Sequence, residues 1–433
     1  MSMMRCTLAA KRSTSRRARC GSVRNTTFGA VIGVLALCSA RVLAGESSAS
    51  FVQDRKAGFV VAHIEYALAQ DAKDTGACPN GMTQGTRRDG PGGYGGGASQ
   101  AQRPAGAAAG SQQRPQGVSD EEAQRQFLAR FMGPDGKNVC LNPEDFKPDP
   151  NYRTVEVADA KAYGIDLDGQ ASRASGKPAP GTCAHNDLLG MNGERGIDNQ
   201  FFRAVGCSNS FQSTGQSNTY TIEMHTGSWG ILMTLSGLDD IRNDDDVEVG
   251  FFANADPIEL SPTREPLPNA TYAAEQDPRF QAKTHGRLKN GVLTTDPVDV
   301  RFHWVVNSIR LERPLRAARA QMTLSEDGVL EGYLAGYTPV DAMYNLQFGY
   351  RDGKDGAGKP AAPRLVLISS NGAAAVLGHT CNGAYYALHA LADGDPDPKT
   401  GACTSISTQY RLKAIPAFVV EAKTRSVNED LDR

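Results

Sequence analysis

The chain has 433 residues, 48 acidic against 46 basic side chains, and 40% apolar content. That length suits one large domain or two ordinary ones, and the lack of a basic excess argues against a nucleic-acid partner, whose phosphates demand Lys and Arg. Beyond residue 44 no apolar run approaches the ~18 residues of a membrane span, so no span is expected in the mature chain.

Residues 1–44 read as a signal peptide. Lys11, Arg12, Arg16, Arg17, Arg19 and Arg24 precede the apolar run Phe28–Leu37, and Val42-Leu43-Ala44 is a small-x-small cleavage pattern. The expected location is secreted or periplasmic. Cleavage would remove eight basic residues and no acid, taking the formal charge from −2 to −10. Cys6, Cys20 and Cys38 would leave with it. The six that remain, Cys78, Cys140, Cys183, Cys207, Cys381 and Cys403, are an even number, as disulfides in an exported chain require. Order along the chain favours the local pairs Cys183–Cys207 and Cys381–Cys403, leaving Cys78–Cys140. There is no Cys-x-x-Cys, so zinc-ribbon, thioredoxin-type and c-type haem chemistry are not indicated.

Residues 45–81 form an N-terminal structured segment. Within it Val60, Ala62, Ile64 and Tyr66 alternate as a strand running into a short helix. Residues 82–118 collapse into Gly, Ala, Gln, Arg and Pro, which cannot bury enough apolar surface to offset ordering, and read as a disordered linker or loop. Residues 119–210 open on a helix. Ser119 and Glu122 make a capping box, Ala123, Phe127 and Phe131 share a face, and Gly133-Pro134 stops it. An aspartate-rich, cysteine-bracketed loop follows.

Residues 211–433 are expected to be β-rich. Strands are read at Thr219–His225, Trp229–Leu235, Val247–Phe252, Val292–Thr295, Val298–Val306, Ile309–Leu311, Ala320–Leu324 and Leu330–Leu334. Ser325–Gly328 makes a hairpin turn. Arg364–Ser369 reads as a strand, Ala384–Leu391 as a short helix and Ala414–Val420 as a last strand containing Pro416. Serial short strands predict a mainly β (α+β) fold, with an antiparallel β-sandwich core and a few short helices.

The richest chemistry lies between Gly164 and Cys207. Asp166, Asp168, Asp187, Asn192, Asp198 and Asn199 crowd hard oxygen donors among glycines, the donor type that calcium takes six to eight of. The spacing is not that of an EF-hand. The competing reading is turn chemistry, in which Asp and Asn side chains accept from nearby backbone N–H groups. The Asp-Leu-Asp-Gly and Gly-Ile-Asp-Asn-Gln elements with nearby cysteines resemble a set of uncharacterised secreted bacterial proteins. More loosely, they resemble the aspartate-rich calcium repeats of thrombospondin type 3 modules. Only one such element is present, Met191-Asn192-Gly193 stands where Asp-Gly would be stronger, and no activity follows from the resemblance.

The acidic turn Asp239–Asp246 is a second candidate cation loop, with Asp244 and Asp246 as its donors, against the alternative of a solvated turn. Glu223 and His225 on one expected strand, and Arg301 and His303 on another, would share a polar face over a core of Ile222, Met224, Phe302 and Trp304. No Gly-x-Ser-x-Gly, His-Glu-x-x-His, Walker loop or dinucleotide fingerprint is present. The expectation is an exported, disulfide-stabilised, calcium-binding β protein that acts as a binding or surface module for a polysaccharide or envelope component. The alternative is an exported hydrolase or lyase on a polymer or ester, with Glu223, His225 and His303 as first suspects.

Overall fold

In the computed structural model the described residues are 50–69, 76–83, 119–170, 183, 185–212, 215, 220–226 and 229–421. The expected signal peptide and nearly all of the expected linker lie outside them. Residues 48–433 form one compact unit, in which strands from both ends of the sequence share one sheet.

β1 (Lys56–Tyr66) shows why. It pairs antiparallel with β2 (Ile231–Ser236) on one side and with β11 (Cys403–Pro416) on the other. Between these run β3 (Asp244–Ala253), β5 (Gln281–Lys289), β6 (Val292–Thr295), β8 (Ile309–Leu324) and β9 (Leu330–Pro339), all antiparallel. The path β1-β2-β3-β5-β6-β8-β9-β11 therefore returns to β1, and a closed sheet of this kind leaves no free edge. The expected mainly β, antiparallel fold holds. The two layers of the expected sandwich are opposite walls of this one closed sheet.

Four further strands lie outside this path, two of them as a separate small sheet. β7 (Val298–Val306) pairs with the first half of β8, β10 (Gly394–Pro396) with the start of β11, and β4 (Thr271–Ala273) runs parallel to β12 (Phe418–Val420). The two short strands read at Ile309–Leu311 and Ala320–Leu324 are thus one long strand that changes neighbours midway.

The ring is filled by side chains that alternate inward. Tyr66 and Tyr410 stack at 5.1 Å, Tyr66 meets Phe201 at 4.5 Å, and Trp229 meets Trp304 at 4.7 Å. Arg313 is buried with this group, its guanidinium 3.7 Å from the Trp304 ring centre and 4.7 Å from that of Tyr410. A desolvated cation over aromatic faces is favoured by about 2 kcal/mol.

The helices pack around the ring. α1 (Asp120–Ala129) begins as expected, Ser119 Oγ accepting from Glu122 N at 3.2 Å. α2 (Gln200–Val205) follows the aspartate-rich loop. α3 (Tyr220–Thr226) replaces the strand read at Thr219–His225. Its helical spacing turns Thr221 and Met224 to one side: Met224 is fully buried, Thr221 Oγ1 takes the N–H of Ile64 at 3.0 Å, and Ile222 is left 63% exposed instead of in the core. The strand read at Arg364–Ser369 lies within α5 (Pro363–Leu377), where Pro363 is set at the first turn and an alanine run continues the helix. α4 (Val340–Tyr344) and α6 (Cys381–Ala390) complete the set, α6 agreeing with the expected short helix.

The disulfides are Cys78–Cys207, Cys140–Cys381 and Cys183–Cys403, none of them an expected pair. Each joins residues at least 129 positions apart. Proximity in sequence misled here because each cysteine meets one from a distant segment, Cys140 reaching the start of α6 and Cys183 the start of β11.

Candidate metal centre

The loop Gly164–Gln170 is an apolar–acidic alternation. Ile165 and Leu167 are buried against Ala335, Tyr333 and Tyr337 of β9, so the intervening Asp166 and Asp168 face away from the sheet. Gln409 of β11 holds this loop from below. Its amide oxygen accepts from Ile165 N at 2.9 Å, and its amide nitrogen donates to the carbonyls of Ile165 and Asp198 at 2.7 Å each.

Asp198 arrives from the second half of the aspartate-rich stretch. It is 4% exposed, and its Oδ2 accepts from Leu167 N at 2.6 Å and Asp168 N at 3.3 Å. The result is a trio, Asp166, Asp168 and Asp198, with one ligand oxygen from each lying within 4.8 Å of the others. Gly196 is needed beside it. Its φ is +84°, and a Cβ there would meet Asp166 Oδ2 at 3.0 Å and the Gln170 carbonyl at 3.2 Å.

The electrostatics are unfavourable for charge without a counter-ion. Burial pushes Asp198 up to about 8, against the pull of the Leu167 N–H, and the charges of Asp168, Asp187 and Asp393 add to the rise. Burial, and then Asp166 beside it, raise Asp168, while Arg319 offsets part of this. Asp393, at the end of the chain that enters β10, is pushed up to about 7 by burial although Ser407 N donates to it at 2.6 Å. Like charges on desolvated carboxylates favour proton uptake or a cation.

Of the sequence candidates for the first cation loop, then, three converge. Asp187 contributes at longer range through its charge on Asp198, and its backbone carbonyl accepts from Arg203 Nη2 at 3.4 Å. Asn192 and Asn199 do not join. Asn192 is tied to Glu194 within its own turn. Asn199 caps α2, accepting from Phe202 N, and donates to the Ala67 carbonyl at 2.7 Å. Turn chemistry is present too, since Asp166 Oδ1 accepts from Gly169 N and Asp168 Oδ1 from Gln170 N, both at 2.7 Å. Those bonds use one oxygen of each carboxylate, so turn and trio are compatible.

The second expected cation loop resolves differently. Asp244 accepts from Asp239 N at 2.6 Å and from Asp246 N at 3.2 Å, and Asp246 pairs with His285 Nδ1 at 2.6 Å. Among the described residues Asp244 and Asp246 belong to no converging group of metal-ligand side chains.

Each catalytic suspect has a different partner. On α3, Glu223 and His225 are two positions apart and so do not share the face that a strand would give them. His225 Nε2 faces the Ala62 carbonyl at 2.9 Å. Glu223 is pushed up to about 7 by burial, opposed by the charge of Arg313. His303 lies beside Glu275 at 3.3 Å and packs on Phe280.

Asp393, Gln409 and Arg319 were not among the sequence candidates. Asp393 lies just beyond the expected helix Ala384–Leu391, and Gln409 sits on a strand whose buried residues mix polar Ser405, Ser407 and Thr408 with apolar Ile406, Tyr410 and Leu412. The alternation of apolar Ile406 with Ser405 and Ser407, followed by Tyr410, Leu412 and Ala414 at period 2, is the signal that could have found that strand. No protein-family model, curated protein or solved structure matches this chain.

Proposed function

We propose that this chain is an exported, disulfide-bonded β protein that holds a structural calcium ion at Asp166, Asp168 and Asp198 and works as a binding module. The observation that carries the reading is Asp198, a buried carboxylate set among others and, among the described residues, bonded to backbone N–H groups and to no cationic side chain. Calcium suits the donor set: all-oxygen, carboxylate-rich and built on flexible loop backbone, with the Gln170 carbonyl close by and water to complete the shell. Zinc would want nitrogen or sulfur ligands. Three disulfides fit an oxidising compartment, and among the described residues no helix is long and apolar enough to cross a membrane.

In this reading the ion fixes the loop over β9 and β11, and the closed sheet offers its outer surface to a polysaccharide or envelope partner. The test is thermal unfolding of the purified protein after chelation. Added calcium should raise the melting temperature of the wild type by several degrees and leave Asp198→Asn unmoved. A wild type with the same melting temperature in calcium and in chelator ends the proposal.

A further inference from the structure

A wide concavity lies away from the aspartate trio, on the outer face of the sheet. It is a groove of about 1450 Å³ bounded by the start of β1, the ends of β2, β3 and β5, and the overhanging β12. Strand register gives its floor. Lys56, Ser236, Glu248 and His285 are cross-strand neighbours in one row, and Gly58, Thr234, Gly250 and Lys283 in the next. Directly opposed residues in antiparallel strands share a face, so each row is a line of side chains running across the strands.

The next row on that face, Val60, Leu232, Phe252 and Gln281, is apolar in its first three members, which are buried. β12 passes close over β1: Ala417 N donates to the Gly58 carbonyl at 2.9 Å, and a Cβ on Gly58 would fall 2.5 Å from the Ala417 carbonyl. The groove is therefore the uncovered continuation of a surface that the end of the chain otherwise covers.

Its chemistry is specific. Lys283 bridges Glu248 at 3.0 Å and Glu421 at 2.8 Å, and His285 bridges to Asp246 at 2.6 Å. Carboxylate acceptors (Asp246 and Glu248) and ammonium donors (Lys56 and Lys283) thus stand together along the floor, a mixture that hydroxyl groups match because each both donates and accepts. Carboxylates outnumber ammonium and guanidinium groups five to three along the walls, which disfavours an anionic ligand. Phe51 and Phe418 stand at the rim, and Phe418 is 45% exposed, giving flat apolar surface beside the polar floor. Neighbouring strands are about 4.8 Å apart, a step comparable with the rise per sugar of an extended β-linked glycan.

We infer that this groove binds an uncharged, extended β-linked polysaccharide lying across the strands, with Glu248 and Lys283 bonding its hydroxyls and Phe418 packing on a sugar face. The inference rests on the binding-module part of the proposed function and is independent of the cation.

The test is calorimetric titration of the full-length mature protein with cellohexaose and with the N-acetylglucosamine hexamer, and with a galacturonate hexamer as the anionic comparison. One of the neutral hexamers should bind, and Glu248→Gln and Phe418→Ala should each weaken it at least tenfold. Phe418 is a half-exposed tip, so its replacement keeps the fold. Both variants should keep the wild-type response to calcium, which separates failure of the groove from failure of the metal centre. Three results would overturn the inference: no binding of either neutral hexamer, tighter binding of the galacturonate hexamer, or affinity unchanged in both variants. Self-association of the protein that both variants abolish, seen by light scattering without sugar binding, would overturn it as well.

Discussion

Asp198 is the residue on which the pH behaviour turns. Its carboxyl is raised from 3.8 to about 8 in the folded chain. A raised group contributes stability that is full below its unfolded pKa and is lost as pH climbs through the folded one. Without a divalent cation the melting temperature should therefore fall between pH 5 and pH 8. Calcium competes with that proton, so the rise it causes should grow over the same range and release protons into unbuffered solution. Both trends should flatten in Asp198→Asn, and equal slopes in mutant and wild type would exclude Asp198 as their source.

His379 works the other way. It is fully buried, neither ring nitrogen has a hydrogen-bond partner among the described residues, and burial lowers it to about 3. Its contribution is full above about pH 6.5 and is lost as pH falls toward 3. Replacing an unpaired buried polar group with an apolar one is worth about 1 kcal/mol. Urea unfolding of His379→Leu should accordingly show a gain of about that size at pH 7 and a shallower loss at pH 4.5.

Among the elements, β11 matters most to the candidate site. It is buried on both faces because the aspartate-rich loop and α2 cover its outer side, and it meets them with Ser407 and Gln409. Ser407 Oγ accepts from Gln200 N at 2.8 Å. Gln409 makes the three bonds that seat the loop. Gln409→Leu leaves those partners buried and unbonded, at a cost of about 2–4 kcal/mol. The same variant should lose most of the calcium response, because the loop that positions Asp166 and Asp168 is no longer pinned to the sheet. A destabilised variant that keeps the full calcium-induced rise would show that the trio does not depend on this strand. Gly196→Ala should act on the ion alone, by displacing Asp166, with little change in cation-free stability beyond the strain of its positive φ.

For the molecule as a whole, the closed sheet and the three disulfides impose the same constraint. Each bond joins segments far apart in sequence, and Cys183–Cys403 closes a separation of 220 residues. In the chain-entropy account such a closure is worth about 5 kcal/mol, less where loops overlap as these do. Non-reducing peptide mapping should recover Cys78–Cys207, Cys140–Cys381 and Cys183–Cys403. Replacing Cys183 and Cys403 together by Ser should lower the melting temperature. It should also weaken calcium more than removing Cys140–Cys381, because Cys183 leads into Asp187 and Asp198 while Cys403 opens the strand that carries Ser407 and Gln409. Equal effects from the two deletions would place the metal centre outside the reach of that bond.

What the sequence settled by itself is what depends on neighbours along the chain. Apolar alternation placed β6 and β7 at their observed bounds, the Ser119–Glu122 spacing placed the start of α1, and Asp166-Leu-Asp168 announced a turn with spare carboxylate oxygens. Tertiary structure decided the rest, because the remaining questions concern residues far apart in sequence. Whether the segment read as a strand became helix depended on the second half of β1, beyond its pairing with β2, where Thr221 bonds the backbone of Ile64. Which cysteines met depended on where loops were draped. Gln409 came to hold the aspartate loop, and Asp393 to add its charge to Asp198, only because the sheet closes and brings β11 beneath that loop. Local periodicity records which face of a segment prefers water; it carries no record of what lies on the other side.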